Sequence, residues 1–220
     1  EEAAALEESD TITIGGVTID FSALGGSSSA NSIALGKIAG AGCEAIAKQP
    51  EAKDKIIAAY EKMQEQIAKS NKSQAEAISY IGSSELSNGA LVSIASQPEA
   101  YDNIMKITET AMTDISNTTG ERAIALGKIA GACCEAIAFQ PEAENYITQA
   151  YNKMKVKILT ADESQAKAIS YIGSNEISEG AMQCIAYNAE RYDDFMTIVE
   201  GTMADILSTT GEKAIALGKI

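Results

Sequence analysis

Apolar residues recur every three or four positions along most of this chain. Ile56, Tyr60, Met63 and Ile67 form one such seam, and Ile147, Tyr151, Met154 and Ile158 repeat it. Ile104, Ile107, Ala111 and Ile115 form another, answered by Phe195, Ile198, Thr202 and Ile206. Steps of three and four place side chains on one face of a helix, so the pattern predicts an all-α fold. Before residue 30 the period changes. Thr11-Ile12-Thr13-Ile14 and Val17-Thr18-Ile19-Asp20-Phe21 alternate at period two around Gly15-Gly16. That alternation predicts a short N-terminal β-hairpin, and Gly25-Gly26-Ser27-Ser28-Ser29 reads as a joint behind it.

The helical part is written twice. Laying residues 30–120 over 121–211 needs no gap, and 52 of the 91 positions are identical. Ile33 to Ala52 reads IALGKIAGAGCEAIAKQPEA, and Ile124 to Ala143 reads IALGKIAGACCEAIAFQPEA. Residues 212–220 reopen the unit with IALGKI a third time. The organisation expected is therefore a hairpin and joint over 1–29, helical units over 30–120 and 121–211, and the start of a third over 212–220. Within the first unit the phrase Gln49-Pro50-Glu51-Ala52 returns as Gln97-Pro98-Glu99-Ala100. Each unit thus divides into two halves, each an antiparallel helical hairpin of roughly 45 residues, giving an elongated bundle or α-solenoid.

Proline sets the bends. It ends a helix arriving from upstream but fits the first turn of the next, so breaks are expected at Pro50, Pro98 and Pro141. Asn188 stands where the others have Gln and is expected to cap the fourth bend with its side chain. Thr118-x-x-Glu121 and Thr209-x-x-Glu212 have the spacing of a capping box. In the first helix of each unit, Gly36 and Gly40, then Gly127 and Gly131, stand four apart among alanines. Glycine weakens a helix by about 1 kcal/mol, so close approach of a second backbone is the expected gain.

Composition narrows the function. Hydrophobic residues make up 45% of the 220, enough for a core, but aromatics are only 5%, so stability must come from many small repeated contacts. The formal net charge of −14 argues against nucleic acid or an anionic membrane as partner. No apolar run approaches the ~18 residues of a spanning helix. Histidine is absent, which removes the usual general base and the commonest transition-metal ligand. Cys43, Cys133, Cys134 and Cys184 lack CxxC spacing and read as small buried hydrophobes.

Catalysis finds little to build on. Glu44/Glu135, Glu109/Glu200 and Asp114/Asp205 are acids present in both copies, and paired carboxylates can do acid–base work, yet exposed helix faces are rich in acids. Lys37, Lys128 and Lys219 sit in the small-residue helix, where an ion pair or a solvent-reaching stem explains them more simply than Schiff-base chemistry. Asn71-Lys72-Ser73 and Asn117-Thr118-Thr119 match the glycosylation triplet, which recurs by chance. The expectation is that the chain is not an enzyme and uses no cofactor and no metal.

The phrase AIALGKIA followed by a proline-broken helical pair resembles armadillo and HEAT repeats, in which ALxxIA segments recur about every 40 residues. The resemblance covers most of residues 30–220 and implies a protein-binding concave face. The Gly/Ala-rich helix, AKQPEA and acid-bearing helix also resemble the hairpin of rotary ATPase c subunits, but Lys37, Glu44, Glu61 and Lys62 interrupt every potential span.

A structural role is the function expected: a self-assembling subunit of a filament or surface assembly, extracellular or cell-surface rather than cytoplasmic. Its partners would be copies of itself, head to tail, and possible further proteins. The assembly residues expected are Ile12, Ile14, Val17, Ile19 and Phe21 on the hairpin, with Ile215, Leu217 and Ile220 at the other end. A helical-repeat scaffold that binds other proteins is the alternative.

Overall fold

The structure, a computed structural model, describes residues 11–14, 17–20 and 29–220. Among these the fold is all-α apart from two short segments, Thr11–Ile14 (β1) and Val17–Asp20 (β2), whose backbones pair antiparallel with Ile12 opposite Ile19. Gly15, Gly16 and the Gly25–Ser28 stretch of the expected joint lie outside the described residues, as does Phe21.

Eleven helices follow among the described residues. They are Ser29–Lys48 (α1), Lys53–Ala68 (α2), Lys72–Gly82 (α3), Ala90–Ser96 (α4), Tyr101–Ser116 (α5) and Glu121–Phe139 (α6), then Glu144–Thr160 (α7), Glu163–Gly173 (α8), Ala181–Tyr187 (α9), Tyr192–Leu207 (α10) and Gly211–Gly218 (α11). Short 3-10 turns at Pro50–Ala52, Pro98–Ala100 and Pro141–Ala143 mark the three proline bends, each with Pro in its first turn. The fourth turn, Ala189–Arg191, keeps its shape without proline, and Asn188 makes no side-chain cap there. The bend is held by packing and by the Arg191 N–H, which donates to the Asn188 carbonyl at 3.0 Å.

The cap positions differ from the sequence pattern. Neither Thr118 nor Thr209 starts a helix. Gly120, with φ +67°, precedes α6, and Thr210 precedes α11 without a side-chain cap. Glu163 caps α6 from a distance, accepting the Glu121 N–H at 2.6 Å, while Ser73 Oγ accepts the Gly120 N–H at 2.9 Å. True capping boxes stand one helix away, at Asn71 with Gln74 and Asp162 with Gln165. Both glutamines also reach across the fold. Gln74 Nε2 donates to the Ile115, Ser116 and Thr118 carbonyls, and Gln165 Nε2 to those of Leu207 and Thr209. One side chain thus closes the start of one helix and the end of another, satisfying carbonyls that have no partner within their own helix.

The two halves of a unit are unlike. The first is one long helix, a bend and a second helix. In the other half the leading arm is broken by Ser83–Gly89, so α3 and α4 are separate, and α8 and α9 repeat the break. Gly89 makes it: a Cβ there would stand under 3 Å from the Ser83 and Ile81 carbonyl oxygens. The core is formed by the predicted seams, with Ile56, Tyr60, Met63 and Ile67 buried in the first unit and Ile147, Tyr151, Met154 and Ile158 in the second. The other seam holds in one copy only. Ile104, Ile107, Ala111 and Ile115 are buried, whereas of their counterparts only Ile206 is buried and Ile198 is 68% exposed.

Candidate assembly interface

The joint between the two sequence units shows what the small residues are for. Helix α3 packs against both α1 and α6, and α8 against both α6 and α11. A Cβ on Gly127 would stand under 3 Å from the Ala77 carbonyl oxygen, and one on Gly131 at 2.5 Å from the Tyr80 carbonyl oxygen. Glycine is needed because two helix backbones touch at these places. Gly218 meets Ala168 in the same way. On α1, by contrast, a Cβ at Gly36 or Gly40 would meet nothing within 4 Å among the described residues.

Polar groups complete the internal joint. Glu135 accepts from Asn88 Nδ2 at 2.9 Å and from Asn175 Nδ2 at 2.7 Å, tying both units to α6. Lys128 pairs with Glu176 at 2.8 Å and lies over the Tyr80 ring. Tyr151 donates to Asp114 Oδ2 at 3.3 Å, and Lys155 holds the same carboxylate at 3.1 Å. Thr108 Oγ1 and Cys134 Sγ are 3.5 Å apart. Burial pushes the thiol of Cys134 up to about 12 and that of Cys133 well above its usual value, so both stay protonated in ordinary conditions. It also lifts the Tyr151 phenol far above its usual range, with Asp114 adding to the effect.

Tyr60, the counterpart of Tyr151 in the first unit, is fully buried, and among the described residues its hydroxyl has no hydrogen-bond partner. Burial pushes its phenol up to about 12. At the other end of the molecule a groove of roughly 240 Å³ opens beside α11, lined by Ile177, Cys184, Phe195, Ile198, Val199 and Leu217 among others. Thr108, the first-unit counterpart of Val199, instead meets Cys134 of α6.

The candidate residues read from sequence fall unevenly. Ile12, Ile14, Val17 and Ile19 lie in the two paired segments, but their side chains, and all of Phe21, are outside the described residues. Ile215 and Leu217 are half-buried against the core, and Ile220 is bare. The retained acids are mostly engaged by lysines: Glu44 by Lys48, Glu109 by Lys62, Glu200 by Lys153 and Asp114 by Lys155. Lys37 pairs with Glu85 at 2.6 Å. All four cysteines are thiols, with Cys133 and Cys134 buried and Cys43 and Cys184 half-buried. Asn71 of the first glycosylation triplet is the capping residue of α3.

The sequence reading missed the Glu135 bridge and the Tyr151–Asp114 contact. An available signal was a difference between the copies, Asn88 against Glu179. Among the described residues no helix is long and apolar enough to cross a membrane, and no group of three potential ligands is placed to hold a metal ion. No protein-family model matches the chain, and no match was found among curated proteins or solved structures.

Proposed function

We propose that this chain is a structural subunit whose copies join head to tail into an open-ended assembly. One observation carries the reading: α3 closes the glycine face of α6, whereas on the nearly identical α1 no described residue meets a Cβ at Gly36 or Gly40. A surface that is complementary to another part of the same molecule generates a heterologous contact, which produces rings or filaments rather than closed dimers. Stacked helical hairpins propagate such a contact readily, because each unit buries its faces only against its neighbours. The N-terminal alternating segment adds a second apolar element at the α1 end, and a two-stranded ribbon gains stability by joining a surface.

Sedimentation and negative-stain microscopy over a concentration series test this. Elongated species that grow with concentration are expected, and a monodisperse monomer throughout overturns it. The second reading, a scaffold for other proteins, draws on the apolar groove beside α11, which is shaped by the same positions that hold a helix in the first unit.

A further inference from the structure

We infer that the cleft between α4, α6 and α9 binds a guanidinium group, carried by a free guanidino compound or by an arginine side chain; this is independent of how copies of the chain associate. The cleft has a volume of about 470 Å³, with Asn88, Glu135, Phe139, Gln183 and Tyr187 among its walls. Its carboxylate is that of Glu135. Asn88 Nδ2 donates to one carboxylate oxygen at 2.9 Å and Asn175 Nδ2 to the other at 2.7 Å. These two amides fix the carboxylate in place, and each oxygen keeps capacity for a further donor. Neither amide neutralises the charge, and no lysine or arginine among the described residues is paired with Glu135.

The two copies differ at this place in a consistent way. Glu44, the counterpart of Glu135, is neutralised by Lys48 one turn on, at 2.6 Å. In the second copy Phe139 stands for Lys48, Gln183 for Val92 and Tyr187 for Ser96. All three replacements line the one cleft. They remove the built-in cation and supply an aromatic pair and a polar side chain. Phe139 and Tyr187 meet edge to face with centroids 5.0 Å apart, an arrangement that leaves ring faces free for a cation. Gln183 is only 7% exposed, and among the described residues its Oε1 has no hydrogen-bond partner. A buried acceptor in that state has lost its water and gained nothing until a donor enters. A guanidinium answers all three features. Its forked N–H groups match the carboxylate and reach an amide oxygen, its plane stacks on rings, and it is more weakly hydrated than an ammonium. No like charge opposes it on these elements, since α4, α9 and the part of α6 beyond Lys128 contain no lysine or arginine.

Two-dimensional NMR of the full chain, titrated with agmatine, tests the site. The side-chain amide signals of Asn88, Asn175 and Gln183 should shift together along one saturating curve, and added salt should weaken the binding. Phe139→Lys puts the lysine of the first copy at a position that is 57% exposed, so it should leave the helical signal intact. It should weaken agmatine binding about 100-fold, because the new ammonium pairs with Glu135 and repels the ligand. Gln183→Val takes the first copy's residue at the other wall and should weaken binding about fivefold. n-Butylamine in place of agmatine should bind about tenfold more weakly. An acetyl-Gly-Arg-Gly-amide peptide that binds more tightly than agmatine supports the site with a protein side chain as its ligand, and the reverse order supports it with a free guanidino compound. Amide signals that agmatine does not move, an affinity that Phe139→Lys leaves unchanged, or butylamine binding as tight as agmatine overturns the assignment.

Discussion

Helices α1 and α6 begin with stretches that agree at eighteen of twenty positions, from Ile33 to Ala52 and from Ile124 to Ala143, yet they live in different surroundings. In α6 both glycines touch a neighbouring backbone, and Lys128 and both cysteines are buried. In α1 a Cβ on the same glycines would meet no described residue, Cys43 is half-buried and Ile33 is 60% exposed. A small-residue helix is therefore neither a core helix nor a surface helix in itself. It is one half of a contact, and its burial depends on whether the other half is supplied. The pair α5 and α10 teaches the same from the opposite side, since Ile107 is 2% exposed and its counterpart Ile198 is 68% exposed.

Alkali should have the largest effect, because it acts on several buried protons of the core together. Cys133, Cys134, Tyr60 and Tyr151 all hold their protons more tightly on folding, their pKa values raised from ordinary values of 9.0 for the thiols and 10.0 for the phenols. The folded chain keeps protons that the unfolded chain has released, so stability is complete below about pH 9 and falls as pH rises toward 12. Far-ultraviolet circular dichroism should show helix lost together with tyrosine ionisation in that window. Helix that survives unchanged to pH 12 would show these side chains reach water.

Next in size is a substitution on each glycine. Gly127→Val forces the two backbones apart and should cost about 3 kcal/mol of stability. Gly36→Val should move the monomer by no more than about 0.5 kcal/mol, and equal losses at the two sites would dissolve the comparison. Urea titrations of the two variants decide it.

Ile107→Ala should cost about 3 kcal/mol by leaving a cavity under α6, against about 0.5 kcal/mol or less for Ile198→Ala in the open groove. Urea titrations of the two variants check the difference, and equal losses would show that Ile198 is covered as Ile107 is.

The smallest contrast concerns a hydroxyl. Tyr151→Phe removes the bond to Asp114 and should cost about 1 kcal/mol. Tyr60→Phe removes a buried hydroxyl that has no partner and should be neutral or slightly stabilising in the monomer. Thermal melts of the two variants resolve the difference, and a matching loss at Tyr60 would reveal a partner for its hydroxyl.

Much of the fold was legible because it is local. Proline ends a helix through its own ring and missing N–H, so the bends at Pro50, Pro98 and Pro141 could be placed from three residues each. Seams such as Ile56, Tyr60, Met63 and Ile67 follow from helical geometry alone. The caps at Thr118 and Thr209 were misplaced because the N–H groups at those helix starts are accepted by side chains more than forty residues away, Ser73 and Glu163 for α6 and Ser164 for α11. The break at Ser83–Gly89 was missed because SYIGSSELSNGA carries no proline, and Gly89 is required only by carbonyls that fold back on it.

By itself the sequence determined the helical class, the duplication, the bend positions and the identity of the small-residue faces, because each depends on residues within one or two turns. Only the tertiary structure decided which copy of each face is covered. Nearly identical segments have nearly identical propensities, and burial is a property of what packs against them: α3 closes the Gly127 face of α6, whereas no described residue meets a Cβ at Gly36 or Gly40 of α1. The unequal fates of Gly127 and Gly36, of Ile107 and Ile198, and of Tyr151 and Tyr60 come from position along the stack, which local pattern does not encode.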